Sequence, residues 1–143
     1  MAAHTADTVL EILGSGDLPF GGTHVGWETV RAMHIGFFEL FRIREIDRAT
    51  ERIDVVDDLV FHRVHAQIEF LPAGRSYHAW HINELTFRDG LVCHRTTSAD
   101  YQQLREIIGD CPTAAEEEER AQRLIDRDRG ADDATVEGPH ADA

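Results

Sequence analysis

The sequence predicts an α+β domain in which one long amphipathic helix precedes four consecutive strands and a short closing helix. Three observations carry this. The apolar residues Trp27, Val30, Ala32, Met33, Phe37, Phe38, Leu40 and Phe41 recur near helical spacing. The turn-forming groups Asp57-Asp58, Pro72-Ala73-Gly74 and Asp89-Gly90 then cut the following stretch into runs of strand composition, a meander. With 143 residues, 42% of them hydrophobic, the chain can bury one core but hardly two.

The elements follow in order. Asp7 to Leu13 (DTVLEIL) is β-branched and aliphatic and is stopped by Gly14-Ser15-Gly16-Asp17, so it reads as a first strand. Leu18 to Gly26, with Pro19, Gly21 and Gly22, reads as a loop, and the main helix runs from Trp27 to about Arg42, with Thr23 or Gly26 at its start. Strands are expected over Arg44 to Val56, Leu59 to Leu71, Arg75 to Phe87 and Leu91 to Ser98. Asp100 to Ile108 reads as a helix capped by Asp100 and stopped by Gly109. The domain is therefore expected over residues 1–110. Residues 111–143 change composition: Glu116 to Glu119 lead into alternating Arg and Asp, which predicts a solvated helix over Thr113 to Arg127 and then disorder.

Composition excludes several functions. The formal charge of -13 repels phosphate backbones and anionic lipid, which argues against nucleic-acid and membrane partners. All 14 basic residues are arginine, which closes off Schiff-base chemistry by lysine. Cys93 and Cys111 have neither the number nor the spacing of a disulfide framework or a zinc site, and no stretch has the apolar length of a signal peptide or a membrane span. A cytoplasmic location is expected.

Leu18 to Val30 (LPFGGTHVGWETV), Phe70 to Tyr77 (FLPAGRSY), Phe87 to Val92 (FRDGLV) and Asp100 to Leu104 (DYQQL) occur in an order and spacing that resemble the SnoaL-like polyketide cyclases of the nuclear transport factor 2-like superfamily. The same run is also similar to limonene-1,2-epoxide hydrolase. The resemblance covers about Asp7 to Gly109. It implies a cystatin-like cone, with a curved antiparallel sheet packed on the long helix around a pocket for an apolar small molecule, a homodimer, and no metal or organic cofactor. Such proteins usually carry two helices before the strand at Asp7 to Leu13, where this sequence has about six residues. Either the cone stays open or is closed by a partner, or the assigned start lies downstream of the true one. They also typically offer an aspartate at the position of Thr97, and the epoxide hydrolases an arginine and an aspartate at Val64 and Ala66. The hydrolase mechanism is accordingly not expected.

Strand alternation puts Ala79, His81, Asn83, Leu85 and Phe87 on one face and His78, Trp80, Ile82, Glu84 and Thr86 on the other. The resemblance assigns the odd set to the interior. A three-residue turn at Asp89-Gly90 would place His81 opposite Thr97 and Asn83 opposite Arg95. A two-residue turn would instead pair Glu84 with Arg95. The first register matches the family and gathers His81, Asn83, Arg95 and Thr97 as a catalytic group. In it His81 acts as acid or base, Arg95 stabilises an enolate or alkoxide, and Asn83 and Thr97 orient the substrate oxygen. The bland alternative is a hydrogen-bonded, irregular core. The resemblance makes Phe37, Phe41, Val64, Ala66, Ile68 and Leu104 the substrate-binding walls. Glu11 is a carboxylate that faces either inward or the exposed edge.

Histidines three apart (His62 and His65; His78 and His81) point to opposite faces of a strand, so no metal site is expected. The leading functional reading is cofactor-independent cyclisation or isomerisation of a polyketide- or terpenoid-like substrate. A non-catalytic ligand-binding or dimerisation module is the alternative, and epoxide opening comes third.

Overall fold

A computed structural model describes residues 3–111, together with Glu119, Gln122 and Arg123. The chain divides into two units, Met1–Gly109 and Asp110–Ala143, and the fold below is that of the first. The expected helix over Thr113 to Arg127 and the disorder beyond it lie outside the described residues, save that Glu119, Gln122 and Arg123 are helical.

The first unit contains β1 (His4–Leu13), β2 (Gly22–Val25), α1 (Trp27–Leu40), β3 (Phe41–Val56), β4 (Leu59–Phe70), β5 (Arg75–Arg88), β6 (Leu91–Ala99) and α2 (Gln102–Gly109). One sheet joins the strands in the order β2-β1-β6-β5-β4-β3. The four strands after α1 form the expected antiparallel meander. The sheet is nevertheless mixed, because β1 pairs in parallel with β6. No local pattern in the sequence announces that pairing, since it joins segments some 85 residues apart across the whole helix and meander. The short β2, expected as loop, is held only as the antiparallel edge partner of β1, with Val9 opposite Val25.

Local chemistry explains the boundaries. Gly26 occupies the N-cap of α1 at φ 87, a conformation that a side chain would resist, and its N–H donates to Thr8 O at 2.8 Å. The helix stops where Phe41 turns extended, its N–H bonding Phe37 O, and the Leu71 N–H reaches back to Leu40 O at 2.8 Å. Asp100 Oδ1 accepts from the Gln102 N–H at 3.0 Å, the expected cap of α2. No helix precedes β1 among the described residues.

The turn between β5 and β6 differs from both registers read from the sequence. Arg88 faces Leu91, so the turn is the two-residue Asp89-Gly90, with φ of 53 and 77 as a type I′ turn requires. Yet Glu84 does not pair with Arg95. Cys93 is an extra residue on β6, since Phe87 faces Val92 while Thr86 faces His94, and beyond it Leu85 faces Arg95, Asn83 faces Thr97 and His81 faces Ala99. The bulge absorbs one residue and returns odd to odd.

Packing concentrates at one end of the sheet. Phe20 meets Phe37, Phe41 and Tyr101 edge-on, Phe41 stacks on Phe37 at 4.6 Å, and Phe70 lies against Phe41. Leu104 and Ile107 of α2, Val30 of α1 and Tyr77 of β5 complete this core. Each such large side chain contributes roughly 1.5–3 kcal/mol by leaving water. The Ser15–Gly21 loop that carries Phe20 is wound tightly: Ser15 Oγ donates to Ile12 O at 2.6 Å, and Arg105 clamps Asp17 with two 2.8 Å bonds.

Candidate functional site

The inner face of the sheet and one side of α1 enclose a cavity of about 310 Å³, at the lower end of the range for small-molecule sites. Alternation along β4 supplies His62, Val64, Ala66 and Ile68; β5 supplies His81 and Asn83, and β6 supplies Arg95 and Thr97. Met33, His34, Phe37 and Phe38 of α1 form the opposite wall. Phe38 and Ile43 line the cavity while remaining half exposed, which places its mouth between α1 and β3.

The polar groups gather around Asn83, which is only 5% exposed. Its Oδ1 accepts from Arg95 Nη2 at 2.7 Å, Arg95 Nε at 3.2 Å and Thr97 Oγ1 at 2.8 Å. Three donors on one carbonyl oxygen fix the amide orientation, so its Nδ2 faces His62 Nδ1 at 3.4 Å. With Nδ1 receiving, the His62 proton sits on Nε2 and is donated to Glu51 Oε1 at 2.7 Å. Glu51 Oε2 in turn accepts from Arg48 at 2.8 Å. A continuous line of contacts thus runs Arg48, Glu51, His62, Asn83, Arg95.

Burial acts on the histidines. His81 Nε2 is buried without a hydrogen-bond partner among the described residues, and desolvation, then Arg95 and His65, lower its pKa. His34 donates from Nδ1 to Val30 O at 2.8 Å. Its pKa is lowered chiefly by burial, against the opposing effect of the Val30 carbonyl, with Arg95 and His24 adding to the lowering. Both rings are therefore neutral near neutral pH. Arg95 is largely buried; desolvation lowers its pKa and Tyr101 opposes this, yet a guanidinium stays protonated at such pH.

A scan against protein families matches none, and no curated protein matches the chain. Solved structures do. A candidate isomerase from Rhodopseudomonas palustris is 19% identical with a TM-score of 0.66, over 73% of this chain and 77% of that one. A candidate SnoaL-like polyketide cyclase from Jannaschia is 17% identical with a TM-score of 0.61, over 77% and 76%. TerC, co-crystallised with polyporic acid, is 17% identical with a TM-score of 0.60, over 76% and 82%. The chain has the nuclear transport factor 2-like fold.

Within this nuclear transport factor 2-like sheet, the residues read from the sequence divide. His81, Asn83, Arg95 and Thr97 all line the cavity, as do Phe37, Val64, Ala66 and Ile68. Phe41 and Leu104 do not: at 1% and 0% exposure they belong to the aromatic core beneath it. Phe41 is the first residue of β3 rather than the last turn of α1, which turns its ring down onto Phe70. Glu11 points away from the cavity and accepts from His94 Nε2 at 3.1 Å on the outer face. That outer face also carries His65, stacked on His78, and Arg63 over the Trp80 ring at 4.1 Å.

His62, His34 and Glu51 were missed. The resemblance gave Val64, Ala66 and Ile68, and strand alternation sets His62 on the same face as these, so that signal was present. Glu51 had none, because it reaches His62 through a register break in β3: Asp47 faces His65, but Arg52 faces Arg63. Asp47 Oδ1 and Oδ2 hold the looped-out residues by accepting from the Ala49 N–H at 3.0 Å and Thr50 Oγ1 at 2.8 Å. Among the described residues no three His, Cys, Asp or Glu side chains gather as metal donors, and no helix is long and apolar enough to cross a membrane.

Proposed function

We propose that this chain is a cofactor-independent acid–base enzyme that cyclises or isomerises an apolar, polyketide- or terpenoid-like carbonyl compound. The observation that carries it is the gathering of His81, Asn83, Arg95 and Thr97 on the wall of an otherwise apolar cavity. The fold neighbours named as isomerases and polyketide cyclases, and the one crystallised with polyporic acid, support the same chemistry.

In this reading neutral His81 takes a proton from the carbon next to a substrate carbonyl. The electron pair moves to oxygen, and the resulting enolate lies against the Arg95 guanidinium, while the Thr97 hydroxyl, its one proton given to Asn83 Oδ1, braces the amide that holds Arg95. Return of the proton from His81 at a different carbon completes an isomerisation. Attack of the enolate carbon on a second carbonyl forms a ring, and the proton then goes to the new alkoxide. Asn83, with its carbonyl already saturated, positions Arg95 and Thr97 rather than touching substrate.

The test is solvent-deuterium exchange into a panel of cyclic ketones and 1,3-diketones, followed by NMR. The wild type accelerates exchange in at least one compound, and His81→Ala loses about 100-fold or more of that acceleration. Full exchange by His81→Ala overturns the assignment of His81. A second reading, a non-catalytic ligand-binding or dimerisation module, is favoured by one observation: among the described residues no carboxylate lines the cavity. Binding of those compounds with no exchange selects it. Epoxide opening is the weakest reading, since apolar Val64 and Ala66 occupy the inner face of β4. The exposed Trp80 and Ile82 on the outer face are the proposed dimer surface, checked by sedimentation. Two free cysteines fit a cytoplasmic setting.

A further inference from the structure

Arg95 carries a charge that the described residues leave without a counter-ion. Its hydrogen bonds go to the neutral amide oxygen of Asn83. Glu51, Glu11 and Asp17 are engaged elsewhere: Glu51 with His62 and Arg48, Glu11 with His94, Asp17 with Arg105. A largely buried guanidinium without a carboxylate is costly, because desolvation removes hydration that a neutral amide only partly replaces. Arg95 also acts on the titratable groups around it, as a cause secondary to their burial. The pKa values of His81, His34 and His4 are all lowered first by burial, and Arg95 contributes to the lowering in each. Tyr101 is held protonated, its pKa pushed up to about 12 by burial. Among the described residues that line the cavity with Arg95 there is no Asp or Glu, and the rest of the wall is mainly aliphatic and aromatic.

We propose that the cavity takes an organic anion, whose ionised oxygen replaces the missing counter-ion of Arg95 while its apolar body fills the space between α1 and β4. The anionic group is a carboxylate or the enolate of an acidic 1,3-dicarbonyl or hydroxyquinone; both present a compact oxygen charge to a forked donor. This rests on the reading of the cavity as a small-molecule site but not on the acid–base role of His81. Asn83 Oδ1 takes one donor each from Nε and Nη2 and so fixes the guanidinium, leaving its other N–H groups for the anion, and Thr97 Oγ1 donates to the same Asn83 oxygen.

Two matched probe pairs test it by titration calorimetry on the full chain at neutral pH: 2-naphthoate against 2-naphthamide, and 2-hydroxy-1,4-naphthoquinone against its 2-methoxy ether. The anion of at least one pair is expected to bind about tenfold or more tightly than its neutral partner. Which pair discriminates tells carboxylate from enolate. Arg95→Met is expected to abolish that discrimination and also to raise the melting temperature of the unliganded protein, since it removes an uncompensated charge. Arg95→Lys is expected to keep part of the discrimination. Equal binding of anion and neutral partner by the wild type overturns the anion proposal and leaves the cavity reading standing. No binding of any probe overturns both. A lowered melting temperature in Arg95→Met with discrimination intact makes Arg95 a structural residue and also overturns the proposal.

Discussion

Glu51 Oε1 accepts the Nε2 proton of His62 at 2.7 Å, across a strand pair whose register breaks between Asp47 and Arg52. A regular ladder would continue the pairing of Asp47 with His65 and carry Glu51 away from His62. The break therefore supplies the link between a solvent-side carboxylate and the cavity wall. The Glu51 pKa is lowered, first by the Arg48 bond and then by the His62 bond.

That lowering has a definite sign. A carboxylate whose folded pKa is depressed contributes stability above its ordinary value of 4.5 and loses it as pH falls through the folded value. Glu51→Gln should therefore flatten the stability profile below about pH 4.5. Urea melts of wild type and variant across that range check this. Parallel profiles would mean that the contact is not formed in solution.

The histidines act at higher pH. His81 and His34 are buried and neutral, so the unfolded chain binds protons that the folded chain refuses below the ordinary imidazole value of 6.5. Stability must fall as pH drops from 6.5 towards their lowered folded values. Replacing His81 by Gln, which cannot titrate, should remove part of this slope. Thermal melts between neutral and mildly acidic pH measure it, and an unchanged slope in His81→Gln would contradict burial of a neutral ring.

Asn83 offers a charge test at constant shape. Asn83→Asp gives Arg95 and Thr97 a carboxylate acceptor in place of an amide oxygen, and should stabilise the protein by about 1–2 kcal/mol. It should also lower affinity for anionic ligands, because Arg95 is then neutralised from within. Asn83→Leu, which leaves both donors without an acceptor, should destabilise by about 1–3 kcal/mol. Chemical denaturation ranks the three proteins; Asn83→Asp below wild type would show that the guanidinium is already compensated.

Gly21 is a steric prediction free of electrostatics. A Cβ there would lie 1.5 Å from the Ser15 carbonyl oxygen, which is backbone and cannot rotate aside. Gly21→Ala should cost about 3 kcal/mol or more, at the upper end of overpacking penalties, by forcing open the loop that inserts Phe20 into the core. A melting temperature within a degree or two of wild type would refute the close approach.

Much of the fold was readable because it depends on local signals. The periodicity of Trp27 to Leu40, the turn residues at Asp57-Asp58 and Asp89-Gly90, and the alternation along β4 and β5 each act over a few residues. The composition of the site was readable only with the resemblance: alternation puts His81 and Asn83 on one face of β5 and Val64 and Ala66 on one face of β4, but the resemblance chose those faces as interior. The register was not. Cys93 looks like any strand residue, and its role as the extra residue of β6 follows from how β6 lies between β1 and β5.

The sequence by itself determined the helix, the meander and which side chains share a face, because backbone sterics and side-chain alternation are short-range. Only the tertiary structure decided that β1 lies parallel to β6, that Phe41 and Leu104 sink into the core, and that Glu51 meets His62. Those outcomes arise from competition among distant segments for the same buried surface and hydrogen-bond edges, and no short window of sequence contains the competitors.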